Sequence, residues 1–305
     1  MILTLPSFAK INWTLEILGK RSDGYHELRT LLQTISVAEE LIFEPIASGI
    51  ELFCDHPGVP CDETNLVYRA ARLLADWGQI SHGIRITLHK RIPTGAGLGG
   101  GSANAAVTLM ALQRLWEMTV PTGELYAMAA KLGADVPCFL LGGTCLGVGR
   151  GDEVYPLPDI RADFLLLVNA GIQVPTKEVY GNLPGELTNP KPVAKMPTSF
   201  VAAYAAETTP NELTPLQNDL EIPVLARHPL LEEIKQRLWA AKARGVLMSG
   251  SGSTIFAIFD TEAERTNAQR ELSQRDWWCV PVRTLGRAEY HQIYRQAFAA
   301  AEAQI

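Results

Sequence analysis

The chain has no Cys-x-x-Cys pair, no long apolar run and no excess of basic residues. Its five cysteines (Cys54, Cys61, Cys138, Cys145 and Cys279) are odd in number and irregularly spaced. Neither a metal ribbon nor a disulfide framework is indicated, and reduced, buried thiols are expected. Apolar runs such as Phe164 to Val168 fall far short of the roughly 20 residues that a bilayer-spanning helix needs. The opening Met-Ile-Leu-Thr-Leu-Pro-Ser-Phe-Ala-Lys has no basic segment followed by an apolar core. No signal or transit peptide is therefore expected, and the expected compartment is the cytoplasm. A formal net charge of −6 argues against nucleic acid or an anionic membrane as the main partner. It leaves room for an anionic small molecule, because a phosphate pocket is local. Low-complexity tracts and internal repeats are absent too, which excludes a solenoid.

What is present reads as a soluble globular protein. Hydrophobic residues make up 47% and charged residues 20% of 305 positions, enough for about two domains. Ser7 to Leu18 places Ile11, Trp13, Leu15 and Ile17 on one strand face and Lys10, Asn12 and Thr14 on the other. By themselves, a lysine and an asparagine so near the chain start read as a solvated face. Asp23-Gly24 is a turn signal that presents Tyr25 and His26, which fit surface packing as well as ligand binding. Leu31–Val37, Glu40–Pro45 and Gly49–Cys54 read as strands broken by polar turns, then Asn65–Trp77 as an amphipathic helix. Thr122–Gly133 is a second helix, and Asp135 stands where it would N-cap a third, with Pro137 in its first turn. Thr144–Val148 and Glu153–Leu157 form a hairpin pattern. A composition shift near Pro156–Pro158 divides the chain into residues 1–157 and 158–305. Beyond it lie a strand at Asp163–Ala170, a loop-rich connection Pro184–Pro215 around a short helix Phe200–Ala206, and a helix at Leu230–Ala243. A second small-residue turn, Ser249–Gly252, enters an apolar strand; a helix at Glu262–Gln274 and a strand at Trp278–Thr284 follow.

The most informative stretch is Lys90 to Ala106, with five glycines between Gly95 and Gly101. Before it, Gly83–His89 alternates as a strand with one buried face. After it, Ser102 suits an N-cap, and Ala103–Met118 carries apolar residues at helical spacing. A glycine turn between a strand and a helix N-terminus leaves backbone N–H groups and the helix dipole free to hold phosphate. The P-loop pattern fails, because Gly101 stands where the lysine belongs. Gly95, Gly97 and Gly100 match the dinucleotide spacing. However, Lys90, Arg91 and Pro93 separate the strand from the first glycine, and a helix follows where a strand with an acidic residue is required.

Pro93-Thr-Gly-Ala-Gly-Leu-Gly-Gly-Gly-Ser-Ala-Asn-Ala-Ala106 resembles the ATP-binding motif of the GHMP kinase superfamily. Within it, Pro6–Asn12 and Lys20-Arg-Ser-Asp-Gly-Tyr-His26 resemble the 4-diphosphocytidyl-2-C-methyl-D-erythritol kinase family of the non-mevalonate isoprenoid pathway. Leu132–Pro137, Gln217–Glu221 and Met248–Ser253 resemble further blocks of that family, in the same order. The resemblance implies an α+β protein of two domains. The first is a ribosomal protein S5 domain 2-like ATP-binding and catalytic domain, the second a ferredoxin-like domain. It implies phosphorylation of the 2-hydroxyl of 4-diphosphocytidyl-2-C-methyl-D-erythritol, with ATP as donor and Mg²⁺ as its companion, by a monomer or weak homodimer.

Site residues follow from the same resemblance. Pro93, Thr94, Gly95, Ala96, Gly97, Leu98, Gly99, Gly100, Gly101, Ser102 and Ala103 would bind ATP, and Asn65 would help place adenine. Ala96 and Ala103 depart from the frequent glycine and serine, so any hydroxyl contact to Mg²⁺ falls to Ser102. Asp135 would take or orient the proton of the attacking hydroxyl, and Lys10 would pair with it and stabilise the moving phosphoryl group. Tyr25 would stack on cytosine and His26 would read its edge. Asn12, Thr176 and Tyr180 complete the acceptor side.

Overall fold

The structure is a computed structural model that describes residues 1–189 and 216–303. The expected helix Phe200–Ala206 and most of the Pro184–Pro215 connection lie outside the described residues. Two sheets divide the strands. Seven belong to the first: β1 (Leu3–Lys20), β2 (His26–Ile46), β3 (Ile50–Cys54), β4 (Gly83–His89), β5 (Thr144–Gly149), β6 (Glu153–Pro156) and the short β8 (Gln217–Asn218). The second has β7 (Leu165–Asn169), β9 (Gly245–Met248), β10 (Ile255–Ile258) and β11 (Trp278–Val282), antiparallel in the order β11-β7-β10-β9. With α8 (Pro229–Ala240) before β9 and α9 (Glu262–Leu272) before β11, this second sheet has the ferredoxin-like βαββαβ course. The change of sheet falls between Pro156 and Leu165.

Helices α1 (Leu66–Gly78), α2 (Gly100–Leu115), α3 (Thr122–Leu132) and α4 (Val136–Leu141) cover one face of the first sheet. Leu3, Leu5 and Phe8 of β1 pack into that helical layer, whereas Ala9, Ile11 and Trp13 pack towards the second sheet, where Trp13 meets Phe256 edge-on at 5.5 Å. The inward parity changes between Leu5 and Phe8, just before a register break between Phe8 and Lys10 in the β1–β2 ladder, where β2 runs on by two residues more than β1. Such an irregularity re-aims the side chains along a strand. Lys10, Asn12 and Thr14 are thereby turned under the helices and are 3%, 2% and 3% exposed. The solvated reading of this face is corrected accordingly.

Three further expectations are corrected. β2 is one strand across Ala38–Glu40, since Glu39 is buried with partners rather than marking a polar turn. α2 begins at Gly100 with Gly99 as its cap, so Ser102 is the third helical residue; the first turn closes early through Ala103 N–H to Gly99 O at 2.8 Å. Finally, the chain continues past the last expected strand into α10 (Arg287–Glu302). Its Tyr290, Tyr294 and Ala301 pack into the helical layer of the first sheet. The spacing Tyr290, Ile293, Tyr294, Ala297, Phe298, Ala301 is a helical stripe that the sequence does carry.

Two short helices follow β7: α5 (Thr176–Gly181) and α6 (Gly185–Thr188). α7 (Glu221–Leu225) follows β8, which lies parallel to β1 at Thr14 and Leu15.

Candidate active site

Lys10 is the hub. Its backbone N–H leaves the β1–β2 ladder and donates to Leu98 O at 3.0 Å, a consequence of the same register break. Its ammonium donates to Asn12 Oδ1 at 2.7 Å and to Gly97 O at 2.9 Å, and it lies 3.4 Å from Asp135 Oδ2. Burying an ammonium costs several kcal/mol unless its donors are met. The two short contacts are to neutral acceptors, so these hold Lys10 in place. The longer contact to Asp135, whose side chain is 36% exposed, is free to change partner. Asn12 is fixed in turn: its amide donates to Thr30 Oγ1 at 2.7 Å, and that hydroxyl donates to Thr14 O at 2.7 Å.

Asp135 occupies the N-cap position of α4, yet its side chain makes no capping hydrogen bond. The turn is closed by Val136 N–H to Gly133 O at 3.1 Å, which leaves the carboxylate free to face Lys10. The other end of α4 is held by α10. Tyr290 OH donates to Phe139 O at 2.6 Å, and His291 Nε2 lies 2.9 Å from Leu141 O. A C-terminal helix thus anchors the short helix that presents Asp135.

The glycine loop lies against the second small-residue turn. Ser249 Oγ donates to Gly97 O at 2.9 Å, and Thr254 N–H donates to Ala96 O at 3.2 Å. Asn218 holds that turn from below, donating to Met248 O at 2.8 Å and Gly250 O at 2.7 Å. Gly97 has φ +77°, and a Cβ there would stand 1.9 Å from Ser249 O. Only glycine fits this crossing. Ala96 and Leu98 are buried and anchor the loop, as Ala103 anchors the first turn of α2; Pro93, Thr94, Gly95, Gly99, Gly100, Gly101 and Ser102 remain at least partly accessible. The N–H groups of Gly95 to Gly99 donate to no acceptor among the described residues, the condition a phosphate cradle requires. Asn218, Ser249 and Gly250 make these docking contacts, a role that their positions in the sequence alone do not reveal.

His26 and Tyr180 lie ring to ring at 5.3 Å, 32° apart. Burial, with Lys20 nearby, lowers the His26 pKa below the ordinary histidine value, and His26 Nε2 has no hydrogen-bond partner among the described residues. Burial, and then the charge of Asp135, raise the Tyr180 phenol, so its hydroxyl stays protonated. Tyr25 is 58% exposed, with the Arg150 guanidinium 5.2 Å from its ring centre. Thr176 Oγ1 meets Ser251 Oγ at 2.9 Å, which joins α5 to the second turn. Asn65 lies by the outer end of the loop, where Leu66 borders Gly101; its Oδ1 caps Val67 N–H at 2.9 Å and its amide donates to Pro60 O at 2.7 Å.

A Gly-rich cradle, a buried lysine and a free carboxylate beside a second sheet define a small-molecule kinase of the GHMP type. The GHMP kinase N-terminal domain model matches residues 65–143, and the GHMP kinase C-terminal model matches residues 205–276. The chain is 41% identical to the 4-diphosphocytidyl-2-C-methyl-D-erythritol kinase of Citrifermentans bemidjiense, over 93% of this chain and 99% of that protein. It is 40% identical to the enzyme of that name from Syntrophus aciditrophicus, over 92% and 98%. A crystal structure of 4-(cytidine 5'-diphospho)-2C-methyl-D-erythritol kinase superposes with a TM-score of 0.77 at 37% identity, covering 93% of this chain and all of that one. A homoserine kinase from Cytophaga hutchinsonii shares the fold at 20% identity and a TM-score of 0.71. The chain belongs to the 4-diphosphocytidyl-2-C-methyl-D-erythritol kinase family of GHMP kinases. Among the described residues, no helix is long and apolar enough to cross a membrane.

Proposed function

We propose that this chain moves the γ-phosphoryl group of ATP to the 2-hydroxyl of 4-diphosphocytidyl-2-C-methyl-D-erythritol, giving the 2-phosphate and ADP in the cytoplasm. One observation carries this reading. The Lys10–Asp135 contact of 3.4 Å stands between a loop with free N–H donors and the ring pair His26–Tyr180. Phosphoryl transfer needs little covalent chemistry from the protein, chiefly alignment and charge. The loop holds the phosphates through Gly95–Gly99 N–H groups and the α2 N-terminus. Asp135 orients the acceptor hydroxyl and accepts its proton as the O–P bond forms. Lys10, freed from its longest contact, meets the negative charge that builds on the transferring oxygens. Asn12 holds Lys10 at the correct height rather than needing to touch substrate.

No group of three or more carboxylate, histidine or cysteine side chains able to hold a metal exists among the described residues. That fits Mg²⁺ carried mostly by phosphate and water oxygens, with few protein ligands. Ser102 Oγ, 3.7 Å from the site of a Cβ on Gly133, and the free oxygen of Asp135 are hard donors of the right kind. Bound there, Mg²⁺ would neutralise phosphate charge.

The cytosine base requires a flat partner and an edge reader. Neutral His26 retains one acceptor and one donor for the base edge, and exposed Tyr25 offers the flat face. Tyr25→Ala is expected to raise KM for the cytidine substrate by about tenfold, the scale of one lost aromatic stack, while KM for ATP moves less than about twofold. Steady-state kinetics with each substrate varied reads this. A rise confined to ATP would move Tyr25 to the nucleotide side and sink the acceptor assignment.

A further inference from the structure

The carboxylate of Glu39 is the least expected group in the fold. It lies in mid-strand in β2 and is 1% exposed, where an unmatched charge would be very costly. Three donors meet it. The Lys90 ammonium, itself nearly buried, pairs with Oε1. Ile92 N–H donates to the same oxygen at 3.1 Å, and the Asn104 side-chain amide donates to Oε2 at 2.7 Å. Lys90 and Ile92 directly precede the glycine loop. Asn104 lies in α2, which begins as the loop ends. One fixed carboxylate on the sheet therefore grips both flanks of a loop that makes no ladder of its own. The carbonyl end of the Asn104 amide has no partner among the described residues, so the bond to Glu39 alone fixes its orientation. Lys90 Nζ also stands 3.5 Å from where a Cβ on Gly100 would be, which places the pair beside the helix N-terminus.

We propose that Glu39 is a positioning residue for nucleotide binding: by fixing Lys90–Ile92 and Asn104 it sets the spacing of the loop N–H donors that receive the phosphates. This rests on the reading of the loop as the ATP cradle. Glu39 touches no substrate. It acts through the loop, so its removal spreads donors that must converge on one anion. A glutamine at position 39 is isosteric but turns an N–H₂ group towards one of three donors, and it leaves the Lys90 charge unmatched. Asn104→Ala cuts only one of the three ties and is favourable for a helix interior, so it keeps the fold.

The test is calorimetric titration with ADP, together with steady-state kinetics, on wild-type protein, Asn104→Ala, Glu39→Gln and the charge-free pair Glu39→Gln with Lys90→Met. The variants are expected to weaken ADP binding and raise KM for ATP about fivefold or more, the scale of hydrogen bonds to a charged group, with KM for the cytidine substrate within about twofold. Unchanged ADP affinity in folded Asn104→Ala and in the charge-free pair would overturn the proposal. So would a parallel rise in both KM values, because that marks a merely structural role. Wild-type protein that fails to bind ADP would instead overturn the reading of the loop, and this inference with it.

Discussion

Asp135→Ala is expected to lower kcat by a factor of at least about 10², or about 2.7 kcal/mol of barrier, with KM for ATP and for the cytidine substrate little changed. Lys10→Ala is expected to cost at least as much. The two effects have different origins. Asp135 is partly exposed and its side chain accepts no capping hydrogen bond, so its loss removes the proposed proton acceptor and leaves the α4 turn closed by its backbone. Lys10 is buried and bonded to Asn12 and Gly97 O, so its loss also leaves Asn12 Oδ1 and one tie to the loop unmet. Lys10→Ala should therefore lower the melting temperature, whereas Asp135→Ala should not. The double variant should lose little more activity than the worse single one, as expected of residues acting as a unit. Rapid-quench measurement of single-turnover ADP formation checks this, and near-normal turnover in either single variant would remove that residue from the mechanism.

Gly97→Ala carries the second large effect. Its Cβ would meet Ser249 O at 1.9 Å, a backbone atom of the turn that Asn218 ties on either side at Met248 O and Gly250 O. A non-glycine residue at φ +77° adds backbone strain of about 1–3 kcal/mol. The loop or the second turn must move, and either movement breaks the hydrogen bonds of Lys10 and Ser249 to Gly97 O. The expectation is a KM for ATP at least about tenfold higher, a lower kcat and a lower melting temperature. Gly101→Ala is the control. It lies in α2, and its Cβ would rest 3.8 Å from Leu66, so melting should be unchanged or higher. Wild-type nucleotide kinetics and melting in Gly97→Ala would show that the crossing of the two turns is not a constraint.

The parts of this site legible in the sequence are those with local causes. A patterned strand, five glycines and an alanine-rich helix announce a phosphate loop at Lys90–Ala106 without any tertiary information. The side of β1 on which Lys10 ends is different. It depends on a change of inward parity beside the register break at Phe8–Lys10, which is invisible to a period-two count. Glu39 broke the expected pattern of β2 because a buried charge looks like a turn until its partners, 51 and 65 positions later, are in place. The docking of Ser249 on Gly97 spans 152 residues and leaves no local trace. α10 is another matter: its tyrosine stripe was readable, and with it the support that α4 receives at Phe139 and Leu141.

A panel of acceptors tests the proposed reaction most directly. Purified protein with Mg-ATP should release ADP with 4-diphosphocytidyl-2-C-methyl-D-erythritol, one ADP for each acceptor consumed, and phosphorus NMR should place the new phosphate on the 2-hydroxyl. Mevalonate, homoserine and galactose should release no ADP above background. No ADP with the cytidine substrate, alongside ready turnover of one of the others, would contradict the account.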